Sequence, residues 1–562
     1  MKLNVFMYLK NVIKIAFVKM DFLLIFIGIL QTSKSYFLKH LLKKLTMQQA
    51  PEHNGHPPSL FILFFTEMWE RFSYYGMRAL LVLFLVTSLT GGGWAWDRKE
   101  ALQLYAVYTG LVYLTPIIGG WIADKFTGYR TAVILGALIM TIGHACMAAE
   151  THAFFYVGLA CLIIGNGLFK PNISSMVGQL YSDEGSKKDS AYTIFYMGIN
   201  AGAFLGILLC GYTGEKVGWS YGFGLAGIFM FFGMLQFAFA QKIFGSIGLS
   251  PKKEQELAVI NPHANPVTEE LTKESHQSKK VKRDRIIVII VFSISTIFFW
   301  MAFEQAGGSM TIFAKDYTNR VLSGNSAFIF KWANTFLVIV PMIILTIVLI
   351  NLFKKTFKKY ALANIFLGTS FLIIWGLVFW MVNKEFAAPV AEVPASWFGI
   401  LNSFFIITFA PLFSKIWESK FNPSGPMKFG IGLILLGIGF AILAYGGSSI
   451  ERGAQTASVS MAWLILAYLF HTLGELCVSP VGLSYISKLS PVKIVGLMFG
   501  IWFVATFIAN TLAGLTGSLI DSITQQYSIS IFFMIFTVIP IAAGLIMFGL
   551  NKTLIKKMHG IH

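Results

Sequence analysis

The chain has 562 residues, of which 56% are hydrophobic and only 12% are charged. Soluble domains contain about 25% charged residues, so the charges here are too few to cover several water-soluble domains. Because about 20 consecutive apolar residues form one membrane-spanning helix, the composition predicts a membrane protein with many spans. The net charge of +18 does not require nucleic acid as a partner, since Lys and Arg also collect in cytoplasmic loops of membrane proteins.

Fourteen apolar stretches are long enough to span a membrane. If the first one begins inside, the inside loops hold about 24 Lys and Arg residues and the outside loops about seven. Positive charge is enriched in cytoplasmic loops, so we predict a multi-pass protein of the cell (inner) membrane with both termini in the cytoplasm. The stretches lie at about 60–88, 101–123, 131–149, 153–177, 191–213, 221–243, 286–314, 327–353, 360–382, 397–417, 429–448, 460–486, 494–519 and 530–550.

The first span contains four charged residues, Glu67, Glu70, Arg71 and Arg78. Each charge alone at the centre of a membrane helix costs about 2.5–3.5 kcal/mol on insertion scales. At about 100° per residue, these four side chains and Tyr74 fall within an arc of about 100°. The sequence therefore predicts one polar stripe that lines an internal cavity.

Three more charged residues lie inside later spans: Lys170, Glu304 and Glu475. Ionisable residues in membrane helices are candidates for substrate pathways or proton relays, although static ion pairs are an alternative. A carboxylate whose basic partner changes with conformation can take up and release a proton. Aromatic residues in the spans either line apolar subpockets or face lipid; they include Tyr74, Tyr75, Tyr113, Trp300 and Trp502.

The sequence contains no pattern typical of catalysis or of metal binding. The four cysteines, Cys146, Cys161, Cys210 and Cys477, lie in apolar stretches without metal-ligand spacing. Metalloprotease, serine hydrolase, Walker A and dinucleotide-binding motifs are absent. An intramembrane enzyme is the competing class, but it would need a paired nucleophile and base. We therefore expect no enzymatic activity, no metal and no cofactor.

Seven motifs in order resemble those of a known family. The first, EMWERFSYYGMR at 67–78, closely resembles the signature of the proton-dependent oligopeptide transporters (POT), a branch of the major facilitator superfamily. The agreement extends over about residues 60–550, and several ordered motifs are far more specific than one. The others are GGWIADKFTGYR at 119–130, GNGLFKPNISSMVG at 165–178, FYMGINAGAFLG at 195–206, FFWMAFEQAGGSM at 298–310, KFGIGLILLGIGF at 428–440 and GELCVSPVGLSYISKLSP at 474–491.

The resemblance implies an all-α polytopic membrane protein with the major facilitator fold, in which two six-helix bundles close alternately over a central site. It implies a monomer in the lipid bilayer that imports di- and tripeptides together with protons. The expected parts are an N-terminal extension and cytoplasmic tail (1–59), the N-terminal bundle (60–243), a cytoplasmic linker (244–285), the first helix of the C-terminal bundle (286–326), an inserted helix pair (327–382), and the rest of that bundle with a cytoplasmic tail (383–562).

The resemblance also implies which residues bind the peptide. Arg71 and Lys170 would attract the peptide carboxylate. Glu475, helped by Asn200 and Asn402, would attract its amino terminus. The full implied binding set is Arg71, Tyr74, Tyr75, Tyr113, Lys170, Asn200, Trp300, Asn402, Glu475, Ser479 and Trp502.

Proton coupling and gating are implied for a partly overlapping set of residues. The proton-coupling residues would be Glu67, Glu70, Arg71 and Glu304. Arg78 with Glu304 would form an outer gate, and Lys170 with Glu475 an inner one.

The sequence departs from the family pattern at several places. Ala106 stands where animal relatives have a histidine, so proton loading would depend on carboxylates. Ser403 stands where the family commonly has proline. The inserted pair at 327–382 is expected on the outside of the bundles, with Lys331 extending to the membrane surface. Residues 1–46 contain only nine consecutive apolar residues, so an upstream start or a surface-lying basic segment is expected there instead of a fifteenth span.

Two alternatives to peptide–proton symport remain open at the level of sequence. A relative that moves nitrate or another small anion is expected to lose much of the Glu67, Glu70 and Arg71 set, which is intact here. A transport-inactive peptide sensor would have the same sequence features, and only a flux measurement separates it from a symporter.

Overall fold

The computed structural model of the chain describes residues 55–181, 185–251, 279–491 and 494–561. The predictions for the extension at 1–46 and for most of the linker at 244–285 lie outside the described residues. The domain boundaries therefore stay predictions, although the helix after the linker begins at Lys279, earlier than expected.

Fourteen long α-helices form the described part of the chain. Thirteen are long and apolar enough to cross a membrane. The other, α1, has 29 residues and contains the four charges of the predicted stripe. The protein is thus a multi-pass membrane protein with the expected number of long helices. They are α1 Pro58–Val86, α2 Arg98–Ile122, α3 Tyr129–Ala148, α4 His152–Gln179, α5 Gly185–Lys216, α6 Trp219–Ala240, α7 Lys279–Phe303, α8 Gly324–Thr356, α9 Ala361–Ala387, α10 Ile400–Glu418, α11 Gly425–Gly446, α12 Ala462–Leu489, α13 Val495–Gly517 and α14 Ile529–Met558.

The helices pack as two bundles. In the N-terminal bundle α1 packs on α5 and α6, and α4 packs on α2 and α3. In the C-terminal bundle α11 packs on α12 and α14, and α7 packs on α13 and α14. The bundles meet where α2 packs on α13 and α5 on α10. We call the end at which α1 begins the near end and the end at which α1 finishes the far end.

Glycines allow α1 and α5 to touch through their backbones. A Cβ atom on Gly206 would lie 2.2 Å from the carbonyl oxygen of Phe72, and one on Gly202 would lie 2.1 Å from that of Met68. Both distances are too short for any side chain. This contact holds α1, and with it the charged stripe, at a fixed depth in the bundle.

The inserted pair, α8 and α9, packs against the N-terminal bundle although the sequence inserts it in the C-terminal half. Phe366 stacks on Phe239 of α6 with ring centroids 5.4 Å apart, and Phe371 contacts Phe65 of α1 at 5.6 Å. A two-stranded antiparallel ladder, β1 (Val321–Leu322) with β2 (Ala391–Glu392), joins the two ends of the pair.

Lys331 does not extend to the membrane surface, so this prediction is wrong. Its side chain is buried, and Nζ donates a hydrogen bond of 2.5 Å to the carbonyl oxygen of Ala388, the C-cap residue of α9. The carbonyl groups at the end of a helix lack partners within it and attract positive charge. This interaction explains why the lysine turns inward.

Gly206→Ala is expected to destabilise the protein by about 1–3 kcal/mol, as overpacking of a close contact typically does. Thermal unfolding of the purified protein in detergent measures the change. Gly376→Ala is the matched control, because no atom lies within 4 Å of the added Cβ and alanine favours helix by up to about 1 kcal/mol. Equal stability of Gly206→Ala and the control would contradict the assigned contact.

Candidate functional site

The predicted stripe on α1 forms a compact ion cluster. Arg71 Nε lies 2.8 Å from Glu67 Oε1 and 2.5 Å from Glu70 Oε2. Glu70 Oε1 also accepts a hydrogen bond of 2.9 Å from Asn166 Nδ2 of α4. All three charged side chains are buried. The cluster therefore satisfies much of its own charge, which lets it exist inside a membrane protein.

Lys170 lies one turn beyond Asn166 on α4, near this cluster. Its Nζ is 4.4 Å from the ring centroid of Tyr113, a cation–π distance. Lys170 makes no ion pair with Glu475 in this structure, so the implied inner gate is not closed. The role of this pair as a gate stays a prediction, because a gate is closed in only part of a transport cycle.

Glu475 on α12 is the charged centre of the opposite bundle. Its Oε2 accepts a hydrogen bond of 2.8 Å from Asn402 Nδ2 of α10, and Thr472 Oγ1 accepts a second one of 3.2 Å from the same amide. Glu475 is 9% exposed. Among the described residues no cation pairs with its carboxylate, so it remains available to a positive group from outside the protein.

Arg78 and Glu304 form a direct ion pair between α1 and the short turn that follows α7. Arg78 Nε also donates a hydrogen bond of 2.8 Å to the hydroxyl of Tyr105 on α2. Both charged side chains are largely buried. The implied outer-gate residues are therefore in contact and join the two bundles toward the far end; their gating role stays a prediction.

Arg98, the first residue of α2, joins three segments at the far end. Its NH2 lies 2.7 Å from Asp316 Oδ2, its NH1 lies 2.8 Å from Asp521 Oδ1, and NH2 also donates to the carbonyl oxygen of Gln455 at 2.9 Å. Charge-assisted hydrogen bonds of this kind are stronger than neutral ones. The far end is therefore closed by polar contacts as well as by helix packing.

Glu392 of β2 makes two further ion pairs at the far end. Its Oε2 lies 2.5 Å from Lys216 Nζ, and its Oε1 lies 3.3 Å from Arg320 NH1. Burial opposes the negative charge of Glu392. The hydrogen bond from Lys216 and the two positive charges nevertheless hold its pKa below its usual range. This carboxylate therefore carries its charge at neutral pH and links α5 to the loop that leads out of the inserted pair.

The remaining implied binding residues lie on helices of both bundles. Tyr74 and Trp502 are buried, and Tyr75 and Trp300 are half-buried. Asn200 Nδ2 donates to a carbonyl of its own helix, that of Tyr196, at 3.0 Å. Two polar atoms of this set are buried without a hydrogen-bond partner, the Tyr74 hydroxyl and the Ser479 hydroxyl.

Sequence reasoning missed several residues of the site. Asn166 could have been found, because it lies four residues before Lys170 and thus on the same face of α4. Thr472 lies three residues before Glu475 and thus also on the same face of its helix, α12. The partners of Arg98 carried no such signal, since they lie hundreds of positions away in the sequence.

A sequence profile of the POT family matches residues 130–382 and 369–539 of this chain. The chain therefore belongs to the POT family, a family of transporters, and it has the major facilitator fold, as the motifs predicted. Both predictions are confirmed.

Individual relatives agree over nearly the whole chain. An uncharacterized transporter of Bacillus subtilis, YclF, is 33% identical over 524 residues, which cover 90% of this chain and 96% of the relative. A di-/tripeptide transporter of Lactococcus lactis subsp. cremoris is 31% identical over 531 residues, with 90% and 97% covered. A crystal structure of a peptide transporter POT in complex with sulfate superposes with a TM-score of 0.68 at 28% identity, covering 91% of this chain and 97% of the other.

Arg98→Gln is expected to open the far end more often. Losing a hydrogen bond between charged groups costs about 1.5–3 kcal/mol, and 1.4 kcal/mol changes an equilibrium tenfold. A cysteine placed at Thr511, which faces Gly110 across the α2–α13 contact, should then react roughly tenfold faster with a membrane-impermeant thiol reagent. Lys99→Gln at the neighbouring exposed position is the control. Unchanged reactivity in Arg98→Gln would show that its contacts do not hold the far end closed.

Proposed function

We propose that this protein is a proton-coupled symporter that imports di- and tripeptides by alternating access. Membership of the POT family and the similarity to a di-/tripeptide transporter support this proposal. The observation that carries it is Glu475, a buried carboxylate with an amide donor but no cation among the described residues.

The charges of the two bundles match the two ends of a peptide. A free peptide is a zwitterion with an ammonium at one end and a carboxylate at the other. Glu475 with Asn402 offers a negative site for the ammonium, while Arg71 and Lys170 on the opposite bundle offer positive groups for the carboxylate. Because fixed charges recognise only the ends, the half-buried aromatic residues between them can accept different side chains.

We further propose which end of the protein faces the inside of the cell. The excess of Lys and Arg in the loops predicted to lie at the near end supports a cytoplasmic near end and a cytoplasmic position of both termini. The far end would then face the outside of the cell (inner) membrane. The contact between Arg78 and Glu304, with Lys170 and Glu475 apart, supports the interpretation of this conformation as an inward-facing state. Both charged ends of the site belong to one chain, so a monomer suffices for transport.

Proton coupling is assigned to carboxylates whose basic partners change during the cycle. Glu304 has Arg78 as its partner while the far end is closed. When the bundles separate at the far end, Glu304 loses this cation and can accept a proton from outside. Glu67 and Glu70 share Arg71, so a peptide carboxylate that attracts Arg71 would also change their affinity for protons.

A pH gradient, acid outside, is expected to drive accumulation of labelled dialanine in proteoliposomes, because protonation from outside is the coupling step. Uptake is measured with and without a protonophore. A gradient-independent level of accumulation would contradict proton symport, and absence of any flux with retained peptide binding would indicate a sensor.

Glu304→Gln is expected to abolish gradient-driven accumulation while peptide exchange across the membrane continues. Glutamine keeps the shape of the side chain but cannot carry a proton. The two activities are measured in the same proteoliposomes. Equal loss of accumulation and exchange would assign Glu304 a structural role instead.

The double reversal Lys170→Glu with Glu475→Lys is expected to reach the membrane but to bind dipeptides poorly. It restores the attraction between the two positions, yet each peptide end then meets a like charge. Each single reversal should also be inactive, since it places two like charges in contact when the near end closes. Near-normal peptide uptake by the double reversal would remove both residues from the binding site and leave them as a gate.

A further inference from the structure

Glu215, in the last turn of α5, contacts the beginning of a helix of the other bundle at the far end. Its Oε2 accepts a hydrogen bond of 2.8 Å from the Ala395 amide. Its Oε1 accepts bonds from the amide and the hydroxyl of Ser396, at 2.9 and 2.5 Å. The 3₁₀ turn Ala395–Gly399 continues directly into α10. A carboxylate of the N-terminal bundle therefore caps a helix of the C-terminal bundle.

This helix has no cap of its own. The first N–H groups of a helix lack partners within it, and Pro394 at the N-cap position makes no side-chain hydrogen bond. A carboxylate is favourable at a helix N-terminus, whereas the same charge is unfavourable at the C-terminal end of α5, where Glu215 is attached. The position of Glu215 is therefore explained by the α10 helix, which it caps, and not by α5, to which it belongs.

The surface of α5 beside Glu215 is shaped to receive the same turn. A Cβ atom on Gly211 would lie 2.2 Å from Ser396 Oγ, so only glycine allows this approach. The Trp397 indole donates a hydrogen bond of 3.0 Å to the carbonyl oxygen of Leu208, and its ring stacks on Tyr212 with centroids 5.8 Å apart. Four positions on one side of α5 thus hold the start of the α10 helix.

The capped helix leads directly to the proposed peptide site. It runs without interruption from Ala395 to Glu418, and Asn402, two turns from its start, donates the hydrogen bond to Glu475. Opening the far end must separate α5 from this helix. Release of its start therefore also moves the amide that holds Glu475.

We infer that Glu215 is a positioning residue of the transport cycle, which caps the α10 helix while the far end is closed and releases it when that end opens. It acts as a latch in addition to the Arg78–Glu304 pair, and it couples closure of the far end to the placement of Asn402. This inference rests on the proposed function, since a latch has meaning only for a protein that opens alternately.

The test measures the separation of the two bundles at the far end. Spin labels are attached at Leu89 and Glu451, exposed positions in the far-end loops of the two halves, after the two half-buried native cysteines are replaced by serine. Glu215→Gln should raise the ratio of long to short distances roughly tenfold, as expected for one lost hydrogen bond to a charged group. Glu100→Gln, an exposed carboxylate at the same end, should leave the ratio unchanged.

A second variant tests the contact without changing Glu215. Gly211→Ala should raise the same ratio, because its Cβ displaces Ser396. Adding Ser396→Gly removes the clashing atoms and should return the ratio toward the wild-type value. A merely structural defect in α5 would not be reversed in this way. An unchanged distance distribution in both Glu215→Gln and Gly211→Ala would overturn the inference.

Uptake kinetics give an independent reading. A protein that favours the open far end should bind outside peptide more readily, and it should close that end more slowly after binding. Glu215→Gln should therefore lower both KM and kcat. Loss of kcat without a lower KM would count against the latch. The distance measurement does not require transport. It can therefore contradict the inference about Glu215 in a protein that transports peptides, and it can support that inference in a protein that proves to be a sensor.

Discussion

The buried carboxylate of Glu475 is the constraint from which the rest of the site follows. An uncompensated charge inside a membrane protein is costly, and Asn402 supplies only a neutral donor. The carboxylate therefore needs a proton, the ammonium of Lys170 in another conformation, or the ammonium of a substrate. These three partners exclude one another, and under the proposed function that exclusion would link peptide binding, closure of the near end and proton movement.

The far end is held by several contacts of different kinds, and three of them join the two bundles. The Arg78–Glu304 pair lies nearest the site, the Arg98 contacts lie at the rim, and Glu215 holds the start of α10. Each such contact adds only modestly to the stability of the closed state, because its groups lose their hydrogen bonds to water when they pair. A set of modest contacts suits a transporter, because the closed state must be stable enough to prevent leakage and still open within each cycle.

The sequence predicted those features that depend on local periodicity or on motifs, and it missed those that depend on tertiary contacts. Helical spacing was enough to place Glu70 and Arg71 on one stripe, and the motifs gave the family and the fold. Lys331 was predicted wrongly, because its direction depends on the end of α9, a helix that follows it in the chain. Glu215 gave no signal, since its partners Ala395 and Ser396 lie about 180 positions away in the sequence.

Binding of end-blocked dipeptides to the purified protein tests the central assignment most directly. Calorimetry would compare dialanine with N-acetyl-dialanine, on the wild type and on Glu475→Gln. If Glu475 receives the peptide ammonium, acetylation should weaken binding more than tenfold in the wild type and hardly at all in Glu475→Gln, because the second change removes a partner already lost. Independent, additive losses from acetylation and from Glu475→Gln would contradict the account.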